Sequence, residues 1–318
     1  MGVDLAYYNN TSKDLIVNMP VSSASGVTKR FANAGTIRNY GWELQINGTL
    51  IKTRDVQWKA YVNWSKNRNE VVDLGEGVDS WIVASYSSHA YMTAYKGGSL
   101  SAMYGLGYKR APEGAYIVEK DGSITNVSGQ IIVDENGYPQ YSDELQYIGE
   151  CTPDWKGGFG TSVKWKGLTV SVAFDGQHGG NVYSYTNAVL GTRGKGSFTL
   201  AGRYDGLVLD GVNQLPDGNF IRNTHKTADI VEYYGLAYAF QNCEQNFVST
   251  EFLKLREIRI AYEFPRQLLA RSKFIKGLSL SVYGRKGAFM RGASVVPGFE
   301  MLQMPGTATF GGNVRITF

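Results

Sequence analysis

The sequence predicts an all-β fold, a partial transmembrane antiparallel barrel of about ten strands. Three observations carry that prediction. Apolar and aromatic residues recur at every second position in segment after segment, the connections between segments alternate short and long, and the chain ends on an apolar strand. In that last strand Phe310, Val314, Ile316 and Phe318 share one face, and Asn313, Arg315 and Thr317 share the other. A sheet edge is normally blunted in soluble proteins, whereas a closed barrel has no edge to blunt.

Composition bounds the alternatives. With 318 residues, 43% of them hydrophobic, the chain can bury a core, and 39 Gly and 21 Tyr against 8 Pro describe a turn-rich β protein. No window holds 18 uninterrupted apolar residues, so a transmembrane helix is excluded; a membrane barrel is not, because its strands alternate. Met1 to Tyr7 has neither a basic n-region nor an apolar h-region, so an outer-membrane reading expects the signal to lie outside this sequence. The net charge of +4 is unclustered and gives no argument for nucleic acid. Cys151 and Cys243 read as incidental thiols in loops, and no C-x-x-C spacing points to a metal.

Taken in order, Val3, Leu5 and Tyr7 alternate with Asp4, Ala6 and Tyr8; Trp42, Leu44 and Ile46 alternate with Glu43, Gln45 and Asn47. Trp58, Ala60, Val62 and Trp64 face away from Lys59, Tyr61, Asn63 and Ser65. Trp155, Phe159, Val163 and Trp165 begin a hairpin that turns at Lys166 and Gly167 into Leu168, Val170, Val172 and Phe174. Ile258, Ile260, Tyr262 and Phe264 form the next face, then Leu278, Leu280 and Val282. Weaker strands are expected at 90–95 and 100–108, around Gly97 and Gly98.

The connections 50–55, 96–98, 166–167 and 265–277 are short; 9–36, 68–89, 109–154, 176–250 and 286–309 are long. Short periplasmic turns and long extracellular loops are the layout of bacterial outer-membrane barrels, and this parity puts Phe318 at the periplasmic end. A structureless connection of roughly 70 residues would count against a compact soluble domain. Trp42, Trp58, Trp64, Trp155 and Trp165 all lie on apolar faces, where an indole suits the lipid interface. The alternative function is a soluble β-rich carbohydrate-binding protein, in which the same tryptophans would fill a sandwich core.

At this point the residues match a family. The landmarks are Gly2-Val-Asp-Leu-Ala-Tyr-Tyr-Asn9 with Lys13, Asp14, Leu15 and Ile16; Asn33, Gly35, Ile37, Asn39, Gly41, Trp42, Glu43 and Leu44; and Trp58 with Asn63, Ser65, Asn67 and Asn69. Ile148, Gly149, Pro153 and Trp155 follow, then 174–180, then Phe252 to Ile258 leading to Tyr262, Phe264 and Pro265. Together they resemble the C-terminal barrel portion of SusC/RagA-type TonB-dependent outer-membrane transporters of Bacteroidetes. The pattern departs near its end, where Lys286 and Gly287 follow Tyr283, Gly284 and Arg285 in place of the usual Asn-Leu.

The resemblance implies a barrel of about 22 strands, plugged by an N-terminal domain. This chain would be one undivided region, 1–318, supplying the barrel wall and extracellular loops, with the signal, TonB-contacting segment, plug and first strands elsewhere. It further implies partners: the remaining barrel and plug, a SusD-like surface lipoprotein, the TonB complex, membrane lipids, and an oligosaccharide or oligopeptide substrate. It implies no nucleic acid, no cofactor and no enzymatic activity.

Individual motifs add little chemistry. Asp175 to Gly180 lacks the Lys-Ser/Thr of a phosphate loop and any second His within ligand spacing, since His89 and His225 are far off; Asp175 and His178 are the residues there that could face substrate. Asp134, Glu135, Asn136, Gly137 and Tyr138 resemble a degraded calcium loop, but Pro139 and Leu145 stand where Gly and Glu are required, so calcium is not expected. Tyrosines crowd the long loops, among them Tyr183 and Tyr185, whose rings could stack on a sugar. No nucleophile or acid–base couple can be nominated, so no residue is expected to be catalytic.

Overall fold

Period-two alternation produces strands that are long and run in simple order. The computed structural model describes residues 1–20, 26, 29–33, 35–75, 77–87, 90–242, 244–270, 272, 274–292 and 308–318. His89 and Cys243 lie outside the described residues. The main sheet contains β1 (Gly2–Lys13), β2 (Thr36–Lys52), β3 (Val56–Asp73), β4 (Trp155–Trp165), β5 (Leu168–His178), β6 (Phe252–Glu263), β7 (Gly277–Gly292) and β8 (Thr309–Thr317). Each strand pairs antiparallel with its chain neighbour, and among the described residues β1 and β8 are the sheet's two edges.

Register fixes the two faces, because directly paired residues point the same way. Leu5, Leu44 and Trp64 line up across β1 to β3; Val163, Val170, Ile260 and Val282 line up across β4 to β7; and Leu280 stands opposite Val314. The facing side carries Gln45 opposite Asn63, Ser162 opposite Ser171, and Ser281 opposite Asn313. Apolar side chains on the first face stay uncovered: Val3, Val282 and Val314 are each about 60% exposed. A soluble sheet would cover this face, so its exposure argues for lipid as its solvent.

The sequence expects about ten wall strands, and the described sheet has eight. The two others, Ala90–Tyr95 and Ala102–Tyr108, belong to a separate four-stranded sheet with Ser80–Ser87 and Tyr141–Glu150. They are buried on both faces, with Ala90, Ala94 and Met103 inaccessible, as strands of a packed core are and wall strands here are not. Removing one hairpin takes away two strands together, which leaves the parity of the connections intact. Hairpin turns join β2 to β3 and β4 to β5; Lys166 takes a left-handed φ of 53° and a Cβ on Gly167 would sit 2.4 Å from the Glu263 carbonyl oxygen.

The described residues gather into two compact units: 1–79, 152–181 and 249–318 hold the main sheet, and 80–151 with 182–248 make the second. The second unit has three small cores. One packs Ala111, Ile117, Val127, Ile132, Val212 and Phe220; another packs Ala90, Met103 and Tyr183; the third packs Tyr138, Tyr233, Tyr234 and Ala237. Its helices Tyr185–Thr192 and Ile230–Ala237 are capped by Ser184 and Asp229, whose side chains accept first-turn N–H groups.

Candidate functional site: the polar face of the wall

Alternation that turns apolar residues to one face turns chemistry to the other. On the polar face, concavities of about 720 and 580 Å³ run across β1 to β6. The larger is lined by Glu43, Gln45, Asn63, Lys156, Asp175 and Arg256 among others, the smaller by Asn47, Lys59, Ser162 and Glu257 among others. The sheet is therefore concave towards its polar side.

Charges on this face are paired across strands. Arg256 donates through Nε to Asp175 at 2.5 Å, with its guanidinium 5.8 Å from the Phe252 ring centroid. Arg285 donates through Nε to Glu257 at 2.7 Å and lies 4.8 Å over the Tyr283 ring. Arg259 reaches Ser281 at 3.3 Å, and Lys164 reaches Glu263 at 2.5 Å. Such pairs fix the geometry of donors and acceptors that a polar ligand or a polypeptide could exchange with. Alternation with Ile258 and Ile260 places Glu257 on this face, but Arg256 shares the parity of those isoleucines and reaches Asp175 only because the register shifts at this point of β6, a bulge that alternation does not reveal.

The tyrosines of this face lie flat. Tyr8, Tyr61 and Tyr283 stand directly opposite Gly41, Gly160 and Gly311, and a Cβ on any of these glycines would fall within about 2.6 Å of the tyrosine ring or hydroxyl. Each ring covers the gap that its glycine leaves, and Tyr8 donates to Asn67 at 2.9 Å.

The residues expected at a substrate surface separate. Asp175 faces the concavity. His178, three positions on, has the opposite parity and stacks on Trp155 with ring centroids 5.9 Å apart, while its Nδ1 lies 3.3 Å from Glu251. Tyr183 is buried in the second unit, its hydroxyl donating to the Phe240 carbonyl at 3.0 Å. Tyr185 is exposed and stacks on Phe240 at 4.9 Å. The turn at Asp134 is closed by its own carboxylate, which accepts from the backbone N–H groups of Asn136 and Tyr138. Among the described residues no group of three or more His, Cys, Asp or Glu could hold a metal.

All five tryptophans of the expected belt share the apolar face: Trp42 with Tyr7, Trp64 beside Leu44, Trp58 opposite Val163, Trp165 opposite Leu168, and Trp155 opposite His178. Trp155 and Trp165 cap the two ends of β4, separated by ~33 Å along the strand and ~25 Å along the normal at a tilt of ~40°, the height of an apolar membrane band. Phe310, Val314, Ile316 and Phe318 are exposed along the edge strand β8.

An antiparallel meander with an exposed apolar face, aromatic at both ends, and a concave polar face is a section of an outer-membrane β-barrel. Comparison with known proteins says which kind it resembles. TonB-dependent receptor P3 of Formosa agariphila is 28% identical over 193 residues, covering 58% of this chain and 19% of that receptor. Receptor P39 of the same organism is 24% identical, covering 96% of this chain and 33% of its own length. Among solved structures, the RagAB peptide transporter superposes with a TM-score of 0.67 at 18% identity, over 99% of this chain and 33% of that one. The RagAB peptide importer in its open-open state gives 0.66 at 19% identity. No family model matches the chain. The chain spans a third or less of the length of these relatives; in sequence and in fold it resembles the barrel of SusC/RagA-type TonB-dependent receptors, proteins of the Bacteroidetes outer membrane.

Proposed function

We propose that this chain forms part of the wall and outer surface of a TonB-dependent importer of oligopeptides or oligosaccharides. The observation that carries the reading is the continuous polar, hydrogen-bonded concave face on the reverse of an apolar face exposed along eight strands. The solved relatives are described as peptide transporters, which favours an oligopeptide among the two cargoes. The Asp175–Arg256 and Glu257–Arg285 pairs suit contact with a polypeptide, whether plug or cargo. Tyr185, exposed, is a candidate for cargo contact in the second unit.

Several partners follow from this reading. In lipid, each unpaired backbone group at a sheet edge costs several kcal/mol, so β1 and β8 pair with strands outside this chain. A plug fills the lumen and is moved by the TonB complex, and a SusD-like lipoprotein covers the outside. The chain contributes containment and recognition, with no enzymatic step and no cofactor.

The test is uptake. In cells lacking the transporter, the whole receptor containing this chain should restore uptake of labelled oligopeptides or oligosaccharides, and loss of TonB should abolish it. Restored uptake that persists without TonB, or a receptor that binds neither cargo, would overturn the proposal.

A further inference from the structure

We propose that the lipid-facing side of β2 and β3, just above the aromatic level, binds the phosphate group of an outer-leaflet lipid. Along β3 the apolar face reads Trp58, Ala60, Val62 and Trp64, then changes to Lys66, Arg68 and Glu70. Along β2 it reads Ile46, Leu44, Trp42 and Tyr40, then Arg38. Pairing sets Lys66 opposite Trp42, Arg68 opposite Tyr40 and Glu70 opposite Arg38, so three cations stand on one face of two adjacent strands. Lys13, opposite Thr36, extends the row onto β1.

The row is basic by one charge: Lys13, Arg38, Lys66 and Arg68 are set against Glu70, Asp73 and Asp154. Arg68 meets Asp154 at 2.6 Å, but Arg38 lies 3.7 Å from Glu70 and is oriented instead by Asn9, which accepts from its Nε at 2.9 Å, and by the Tyr40 ring 4.9 Å away. Arg38 is thus held in place with donors to spare. Nearer the turns, the same face of β6 to β8 carries Ile258, Ile260, Tyr262, Leu280, Val282 and Val314, while Arg259, Arg285 and Arg315 have the opposite parity, so this face turns from apolar to basic only towards the outer ends.

Height decides the occupant. The cations begin two residues beyond the last outward tryptophan on β3, at the end of the strands that carries the long extracellular connections. That level is the headgroup region of the outer leaflet, where indoles settle and where phosphate oxygens accept from Arg and Lys. The inference rests on the barrel and its orientation and is independent of the cargo.

The whole receptor, purified in detergent, would be mixed with micelles of phosphorylated lipid A or of the same lipid after dephosphorylation, and the retained lipid measured by mass spectrometry. The R38Q/K66Q variant, which leaves the Arg68–Asp154 pair intact, should hold phosphorylated lipid about fivefold more weakly for each cation removed. K52Q/R54Q, at the opposite end of the strands, should retain it fully, and heat-modifiable migration on gels should show every variant folded. Undiminished retention by R38Q/K66Q, equal retention of dephosphorylated lipid by the unaltered receptor, or displacement by inorganic phosphate, which would mark a free-ion site, overturns the proposal.

Discussion

Single residues of the polar face show how a wall without a core of its own keeps its order. Tyr61 lies on Gly160 of the next strand, with ring and hydroxyl atoms 2.4 to 2.7 Å from where a Cβ would stand. Gly160→Val should therefore push the ring into the lumen and destabilise the sheet by about 1–3 kcal/mol, read as a lower urea midpoint of heat-modifiable migration. Asp154 sits at the outer strand ends, where a hydrogen bond and charge from Arg68, with His178 and Lys66 nearby, hold its carboxyl below the ordinary range. A depressed carboxyl stabilises the fold above its unfolded value and loses that contribution as pH falls through the folded one. The unaltered receptor should thus lose thermal stability on acidification through that window, and Asp154→Asn should flatten this part of the profile. Cys151 is half-buried beside Glu150, and burial pushes its thiol up to about 11. Alkylation at pH 8, followed at the Cys151 peptide by mass spectrometry, should be slow in the folded receptor and fast after unfolding.

At the scale of elements, period-two alternation made the eight wall strands legible, since aromatic and β-branched residues stand on one face and Asn, Ser, Lys and Glu on the other. What alternation lacks is any statement of what covers the apolar face. That is why Ala90–Tyr95 and Ala102–Tyr108, whose covering comes from residues far along the chain such as Tyr183 and Phe247, read as wall strands too. Asp175 and His178 are three apart on a continuous strand and so face opposite sides, a parity that the glycines around them conceal in the sequence. Tyr183 and Tyr185, alike in sequence context, differ because the Phe240 backbone claims one hydroxyl and its ring stacks on the other residue, a pairing across more than fifty residues. Trp165 faces outward at the turn end, so in a variant keeping it as the sole tryptophan, brominated lipids should quench its fluorescence, and lumen-restricted quenchers should not. Deleting Phe318, exposed past the edge strand β8, should lower the fraction of receptor that reaches the heat-modifiable folded state.

The molecule as a whole divides its labour between a wall that alternates and a second unit that packs. Asn181–Tyr183 pairs with Phe247–Ser249, bringing the two ends of a long excursion side by side. Replacing 184–246 by a short turn should therefore leave the wall heat-modifiable while abolishing uptake; loss of the folded wall would show instead that the excursion is needed for assembly. The same sequential order of β1 to β8 has a consequence in time. Hairpins such as β4–β5 close over two residues, but β3 meets β4 only after on the order of 80 residues, a closure costing ~3 kcal/mol more in chain entropy. Hairpins should form early and the β3–β4 and β5–β6 seams late, unless the long excursions fold first and shorten the distance the chain must search.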